Sequence, residues 1–171
     1  MKYFLRYHRI VITTEFFMPK ITIRNVEICD RDIIVSLKKQ LATDSPFLPY
    51  DSKDHLHDLT IIKKWRKFKY HYDLLEVNGR VVGYLLFQRF TPPLGYISLG
   101  ILSEFQGKGY GSLLIDNVIL RAIEQRFKEL ALLVSITNTK ALALYHRYGF
   151  EIKEELTSDN YGVCYKMILV L

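Results

Sequence analysis

The chain has 171 residues, of which 49% are hydrophobic and 25% are charged, and its formal net charge is +6. This is the composition of an ordinary globular domain, and the length suffices for one domain with a full core. No apolar run approaches the ~20 residues of a membrane span, and Cys29 and Cys164 stand in no metal-binding spacing. The composition therefore favours a cytoplasmic protein with two reduced thiols, no membrane partner and no metal.

The first 17 residues differ from the rest of the chain. They are basic and apolar, but they carry neither a helix cap nor a small-residue cleavage site, which argues against a secretory signal. A first strand, Ile21–Arg24, follows Pro19. We therefore predict a single domain over residues 18–171. The segment 1–17 is then a loose extension or the product of an upstream start codon.

Two helices are predicted next. Asp30 and Asp32 stand at a helix entry, and the apolar residues that follow have helical spacing, which predicts a helix over 30–42. Prolines break it over 43–50, and a second helix is expected from about residue 51 to 69. Its basic run, Lys63–Lys69, is typical of a solvated helix face, and no nucleic-acid-binding signature accompanies it.

A three-stranded meander forms the middle of the chain. Strands are predicted over 72–77 and 80–90, joined by Asn78-Gly79, which is a strong hairpin signal. Thr91-Pro92-Pro93 ends the second strand, and a third is predicted over 95–102.

A glycine loop follows this third strand. Its sequence, Gln106 to Gly111, is QGKGYG, and a helical pattern then runs to about Phe127. Glycines let backbone N–H groups surround an anion, and the start of a helix adds the positive end of its dipole. The loop does not match the P-loop, because the Lys-Ser/Thr pair of that motif is missing. It does not match the dinucleotide-binding fingerprint either, because the third glycine of that motif is missing.

A second motif closes the chain. An apolar strand, 130–136, is expected to be covered on both faces. Asn138 is a good N-cap for the helix that follows, and Gly149 fits its C′ position. Two antiparallel strands, 150–156 and 161–169, complete the prediction.

The two motifs together resemble those of the GNAT acyltransferase superfamily. Gln106–Gly111 matches Q/R-x-x-G-x-G/A, and Asn138–Phe150 matches N-x-x-A-x-x-x-Y-x-x-x-G-F at every fixed place. The resemblance implies an α/β (α+β) fold: a central mixed, mostly antiparallel sheet of about six to seven strands, flanked by about four helices. It also implies that acetyl-coenzyme A is the acyl-donor cosubstrate.

The resemblance further implies how the coenzyme binds. Its pantetheine arm enters a gap beside the glycine-loop strand and bonds the backbone of Ile101 and Ser103. The N–H of Ile101 or Leu102 faces the thioester carbonyl, and the loop N–H groups hold the pyrophosphate. The implied coenzyme-binding residues are Ile101, Leu102, Ser103, Gln106, Gly107, Lys108, Gly109, Tyr110, Gly111 and Asn138.

Tyr145 is the catalytic residue that the resemblance implies. A phenol with a pKa of ~10 is protonated at neutral pH and can donate a proton to the departing thiolate. The expected reaction is direct attack of a primary amine on the thioester in a ternary complex, because neither cysteine lies in a nucleophile setting. His146, the next residue, is interpreted as a surface histidine.

The proton acceptor and the amine stay open at this point. Many relatives carry a Glu on the strand before the glycine loop, whereas this strand has none, and Glu104 is interpreted as a surface residue. Glu76, His55 and His57 are possible bases, and water-mediated loss past Tyr96 or Ser98 is the alternative. The acceptor is a small-molecule amine, an amino acid, a polyamine, an antibiotic or a protein amine. A non-catalytic acyl-coenzyme A sensor is the rival function, and the chain is a monomer or a homodimer.

Overall fold

A computed structural model of the protein describes residues 18–48, 71–91, 93–158 and 162–171. The predictions made for residues 1–17, for the helix over 51–69 and for the basic run Lys63–Lys69 lie outside these ranges. No helix within them is long and apolar enough to cross a membrane.

The described residues form seven strands and three α-helices, which confirms the predicted fold class. Each falls where a strand or helix was predicted, with ends that differ by three residues or fewer. The strands are β1 (Ile21–Asn25), β2 (His71–Val77), β3 (Arg80–Thr91), β4 (Leu94–Ile101), β5 (Glu129–Ser135), β6 (Glu151–Ser158) and β7 (Gly162–Val170). The helices are α1 (Arg31–Asp44), α2 (Tyr110–Glu124) and α3 (Thr139–Arg147).

One sheet contains all of these strands, in the order β1-β2-β3-β4-β5-β7-β6. Every neighbouring pair is antiparallel except β4 and β5, which are parallel. This one parallel pair is short, because it runs only from Leu94 opposite Glu129 to Tyr96 opposite Ala131. Beyond Tyr96 the two strands separate, so the sheet opens at its middle.

Helices α1 and α2 cover opposite faces of the sheet. Lys38 of α1 lies over the ring of Tyr84 on β3, whereas Arg121 of α2 is paired with Asp73 on β2. The register places Asp73 opposite Leu85, so Asp73 and Tyr84 point to different faces. The hydrophobic core therefore lies on both faces of the sheet. Leu37 and Leu41 of α1 are buried on one face, and Leu114 and Ile115 of α2 are buried on the other.

One expectation about β5 is wrong. Its apolar sequence predicted burial on both faces, but Leu133 is 42% exposed. Leu133 lies beyond the stretch that pairs with β4, where the strand lines the opening instead of the sheet interior.

Candidate functional site

A cleft of about 1660 Å³ occupies the gap between β4 and β5. Its walls are the diverging strands, the end of α1, the glycine loop and one side of α3. The two sequence motifs therefore meet at one opening.

On the cleft side of β4, backbone groups point away from the neighbouring strand β3. Leu102 N–H donates to the carbonyl of Val82 on β3 at 2.9 Å. Backbone groups alternate in direction along an antiparallel pair, so those of Leu99 and Ile101 point away from β3, toward the cleft. Of the two donors predicted for the thioester, the Leu102 N–H is used inside the sheet, so Ile101 is the one that faces the cleft. The backbone of Leu99 faces the cleft as well, which strand alternation counted from Ile101 would have predicted.

Ser103 is held by neighbouring residues. Its hydroxyl donates to Asp44 Oδ2 at 3.0 Å, its N–H donates to the same oxygen at 3.4 Å, and its carbonyl accepts from Gln106 N–H at 3.1 Å. The Gln106 side chain also donates to the Ile101 carbonyl at 2.9 Å. Both backbone groups of Ser103 therefore have partners, whereas in Ile101 the carbonyl has one and the N–H faces the cleft. The Ile101 N–H is thus the better placed of the groups predicted to bond the pantetheine arm.

The glycine loop has the backbone conformation that an anion-binding loop needs. Gly107 and Gly109 have φ angles of +75° and +84°, in the left-handed region that favours glycine. Helix α2 starts directly after Gly109, and the first turn of a helix leaves its N–H groups without intrahelical partners. The loop and this first turn therefore offer a set of N–H donors along one wall of the cleft.

The Lys108 side chain points elsewhere. Its ammonium lies 5.1 Å from the centroid of the Phe105 ring, and the guanidinium carbon of Arg80 lies 5.3 Å from the same centroid. Lys108 is not among the residues that line the cleft.

Helix α3 is fixed at both ends as the sequence predicted. The Asn138 side chain accepts a hydrogen bond from Ala141 N–H at 3.2 Å, which confirms the N-cap. Gly149, just past the helix, has a φ angle of +86°. These caps fix the two ends of the short helix that carries Tyr145.

Tyr145 lines the cleft from α3 and is only 7% exposed. Its ring packs edge-on against Phe150, with 5.7 Å between the ring centroids. Burial, together with the nearby phenol of Tyr84, raises the pKa of Tyr145 well above its usual value. Tyr145 is therefore a neutral proton donor at any physiological pH, and its neighbour His146 is exposed, as expected.

Polar uncharged groups form the floor of the cleft beside Tyr145. Tyr84 and Ser98 lie on neighbouring strands, with their hydroxyl oxygens 3.5 Å apart. Tyr96 and Gln88 continue the same surface, and Leu48 borders it. The side chains can orient a polar substrate without providing a strong base.

One of the predicted bases lies elsewhere: Glu76 is bound to Arg24 at 2.7 Å and does not line the cleft. Glu104, interpreted from the sequence as a surface residue, is exposed and bound to Arg80 at 2.8 Å, also outside the cleft lining. His55 and His57 lie outside the described residues. Asp44 is the one carboxylate among the described residues that line the cleft, and it accepts from Ser103. Tyr96 and Ser98 line the cleft, as the water-mediated alternative requires.

Comparison with known families gives one family match. The family model described as "Acetyltransferase (GNAT) family" matches residues 37–150, about two thirds of the chain. This range includes both motifs and most of the cleft.

Individual relatives are more distant. Over 104 residues the chain is 30% identical to mycothiol acetyltransferase from Jonesia denitrificans; the match covers 60% of this chain but only 29% of that protein. The fold is similar to the putative acetyltransferase yncA from Salmonella typhimurium, solved with acetyl-CoA, at a TM-score of 0.75 and 20% identity, over 88% of this chain and 93% of that one. It is also similar to the ribosomal-protein-alanine N-acetyltransferase from Brucella melitensis, at a TM-score of 0.71 and 21% identity, over 88% and 99% of the two chains.

Proposed function

The chain belongs to the GNAT family of acetyltransferases, and from this we propose that it transfers an acetyl group from acetyl-coenzyme A to a primary amine. One observation carries the proposal. The sheet opens between β4 and β5, and this opening has an anion-binding loop at one end and the neutral phenol of Tyr145 on its wall.

The coenzyme spans this opening in the proposed complex. Its pantetheine arm lies along β4 as an added strand and bonds the backbone groups of Leu99 and the N–H of Ile101, whose carbonyl already accepts from Gln106. Its pyrophosphate accepts from the N–H groups of Gly107 to Gly111 at the start of α2. The thioester then lies near Tyr145.

The reaction is a direct transfer. The neutral amine attacks the thioester carbonyl, a C–N bond forms, and the negative charge on oxygen is stabilised by a β4 N–H, a contact that can contribute about 3–4 kcal/mol in the transition state. The C–S bond then breaks, and Tyr145 gives its proton to the departing thiolate. No covalent acyl-enzyme is required: Cys164 is buried and Cys29 is exposed, and neither lines the cleft.

In this proposal the proton released by the amine passes to water, and water returns a proton to the Tyr145 phenolate, which restores the phenol for the next turnover. Ser98 and Tyr96 line the floor of the cleft and can hold such water by hydrogen bonds. This route is preferred to Glu76 as the base, because Glu76 is engaged by Arg24 and lies outside the cleft lining.

The rival function is a sensor that binds acyl-coenzyme A without turnover. The observation in its favour is that the described cleft contains no carboxylate free of a partner, since Asp44 is bonded to Ser103. The buried Tyr145 favours the enzyme, because a sensor has no use for a proton donor at the thioester.

Two successive measurements test the proposal. The first is calorimetric titration of acetyl-coenzyme A into the protein. The second is thiol release in the presence of pooled acceptors: small amines, amino acids, polyamines, aminoglycosides and peptides with free amino groups. Binding with coenzyme A release in one pool supports the transferase and identifies the acceptor class. Binding without release in any pool supports the sensor, and absence of binding overturns both.

A further inference from the structure

The cleft contains a primary amine that belongs to the protein itself. Lys38, on α1, is a half-buried lysine that lines the cleft, and its ammonium lies 5.7 Å from the centroid of the Tyr84 ring. An ammonium over the face of an aromatic ring is attracted by the negative charge of that face. The side chain of Lys38 is therefore directed over the sheet and into the cleft.

The Tyr84 ring connects Lys38 to the middle of β4. A Cβ atom at Gly100 would lie 2.8 Å from Cε1 of this ring, and the Tyr84 hydroxyl lies 3.5 Å from the Ser98 hydroxyl. The ring therefore packs against this part of β4. In the proposed complex the pantetheine arm bonds the backbone on both sides of Gly100. The Lys38 amine thus lies beside the stretch of β4 that the thioester end of the coenzyme follows.

The proposed proton donor faces the same place. Tyr145 lines the cleft from α3, and the phenol of Tyr84 is close enough to contribute to the raised pKa of Tyr145. The Tyr84 ring therefore has the Lys38 ammonium over it and the Tyr145 phenol nearby. An amine and a general acid are the two groups that acetyl transfer from a thioester requires of its surroundings.

Other lysines of the described ranges are placed differently. Lys140 lines the cleft as well, but it is exposed and lies in the first turn of α3, on another wall. Lys39, the next residue of α1, is exposed and does not line the cleft. Lys38 is therefore the half-buried lysine of the cleft lining in the part of the chain that the structure describes.

We propose that Lys38 is a self-acetylation site: without an external amine, the cleft transfers the acetyl group of its own bound coenzyme to Nζ of Lys38. This inference rests on the proposed function, because it uses the same donor and the same general acid. The neutral Nζ attacks the thioester carbonyl carbon, a C–N bond forms and the C–S bond breaks. The thiolate takes the proton of Tyr145. The proton released by Nζ passes to water, water returns one to the phenolate, and the products are N-acetyllysine and coenzyme A.

The experiment compares two adjacent lysines of one helix. The full chain is incubated with saturating acetyl-coenzyme A and no other amine, and tandem mass spectrometry follows acetylation of Lys38 and Lys39 in the peptide that contains both. Lys39 is exposed and outside the cleft, so it reports spontaneous acetylation from solution. We expect Lys38 to react at least ~10-fold faster, because an amine held beside the thioester reacts within one complex. Its rate constant should not change when the protein is diluted.

Two variants separate catalysed from spontaneous acetylation. Tyr145→Phe removes the proposed proton donor, so it should slow acetylation of Lys38 at least ~10-fold and leave that of Lys39 unchanged. Lys38→Arg keeps the positive charge but removes the acceptor, so the mass gained by the whole chain should fall to the spontaneous level. Calorimetric titration with acetyl-coenzyme A shows whether each variant keeps its cleft. The comparison of Lys38 with Lys39 in the wild type depends on neither variant.

The outcomes distinguish this inference from the proposed function. If the wild type acetylates an external amine while Lys38 reacts no faster than Lys39, the inference is overturned and the proposed function stands. A rate constant at Lys38 that rises with protein concentration would show that one molecule acetylates another, which also overturns the inference. Failure of the wild type to bind acetyl-coenzyme A would instead overturn the proposed function, and self-acetylation with it.

Discussion

At the scale of single residues, the proposed reaction depends on the Tyr145 hydroxyl. We expect Tyr145→Phe to lower kcat about 10²- to 10⁴-fold, the usual contribution of a positioned general acid, with the KM for acetyl-coenzyme A nearly unchanged. Since burial raises the pKa of Tyr145 above its ordinary value, its deprotonation should not limit kcat below pH ~10. Coenzyme A release is followed from pH 6 to 10 with the fastest acceptor of the pooled screen. It measures the loss in kcat and the pH dependence of kcat.

Tyr72 provides the matched control. It is a fully buried tyrosine stacked on Tyr84, with 5.6 Å between the ring centroids, and it does not line the cleft. Tyr72→Phe removes a hydroxyl from the same region and should leave kcat close to that of the wild type. If Tyr145→Phe turned over as fast as Tyr72→Phe throughout the pH range, Tyr145 would not be the general acid.

The residues of the site differ in how far the sequence could predict them. The glycines, Asn138 and Gly149 were predictable because their roles are local: a left-handed turn or a helix cap depends on a few neighbouring residues. The pairs Ser103–Asp44 and Arg147–Ser112 were not, because their partners lie 59 and 35 residues apart in the chain. Such contacts follow from the packing of whole elements, which sequence periodicity does not specify.

At the scale of elements, the fit between β4 and β3 requires a glycine at position 100. A Cβ there would lie 2.8 Å from Cε1 of Tyr84 and 3.0 Å from Cδ1 atoms of Leu41 and Leu48. We expect Gly100→Ala to destabilise the fold by about 1–3 kcal/mol, as overpacking does, and to displace the Tyr84 ring from the cleft floor. Urea unfolding measures the first effect. Ser98→Ala, which removes an atom from the same strand, should leave the free energy of unfolding within about 1 kcal/mol of the wild type. A similarly small loss in Gly100→Ala would mean that the site tolerates the added methyl group.

Helix α2 depends on a buried ion pair. Asp73 is 1% exposed, its Oδ2 lies 3.1 Å from Arg121 Nη1, and burial raises its pKa while Arg121 opposes that shift. Arg121→Met would leave the carboxylate buried without its partner, at a cost of about 3 kcal/mol at pH 7. The pKa of Asp73 would then rise further, so the folded state would bind this proton more tightly than the unfolded chain does. The penalty should therefore decrease as the pH falls through the raised pKa.

Urea unfolding of Arg121→Met at pH 7 and pH 5 measures this dependence. In the double variant with Asp73→Asn the remaining loss should not vary with pH, because no titrating group is left at position 73. A penalty of equal size at both pH values in Arg121→Met alone would show that lost packing, not a stranded charge, is the cause.

At the scale of the whole molecule, the sheet consists of two parts with a narrow connection. Strands β1 to β4 form one part and β5 to β7 the other, and the backbone pairing between them covers only Leu94–Tyr96 and Glu129–Ala131. The sequence predicted the individual strands and the final antiparallel pair. It did not predict that β7 would lie between β5 and β6, because strand order is decided by which faces can be buried together and not by local pattern.

This division predicts how the molecule responds to its coenzyme. In the proposed complex a pantetheine arm bonded along β4 would bridge the two parts, so it should slow hydrogen exchange at the N–H groups of Leu99 and Ile101, which face the gap. The N–H of Leu102, already bonded to Val82, serves as the internal control and should change little. At ~100 times its Kd the coenzyme should also add about 2.7 kcal/mol to the free energy of unfolding. Amide exchange resolved by NMR, with and without coenzyme A, measures the difference; equal protection of Leu102 and Ile101 on binding would indicate general stiffening and not an added strand.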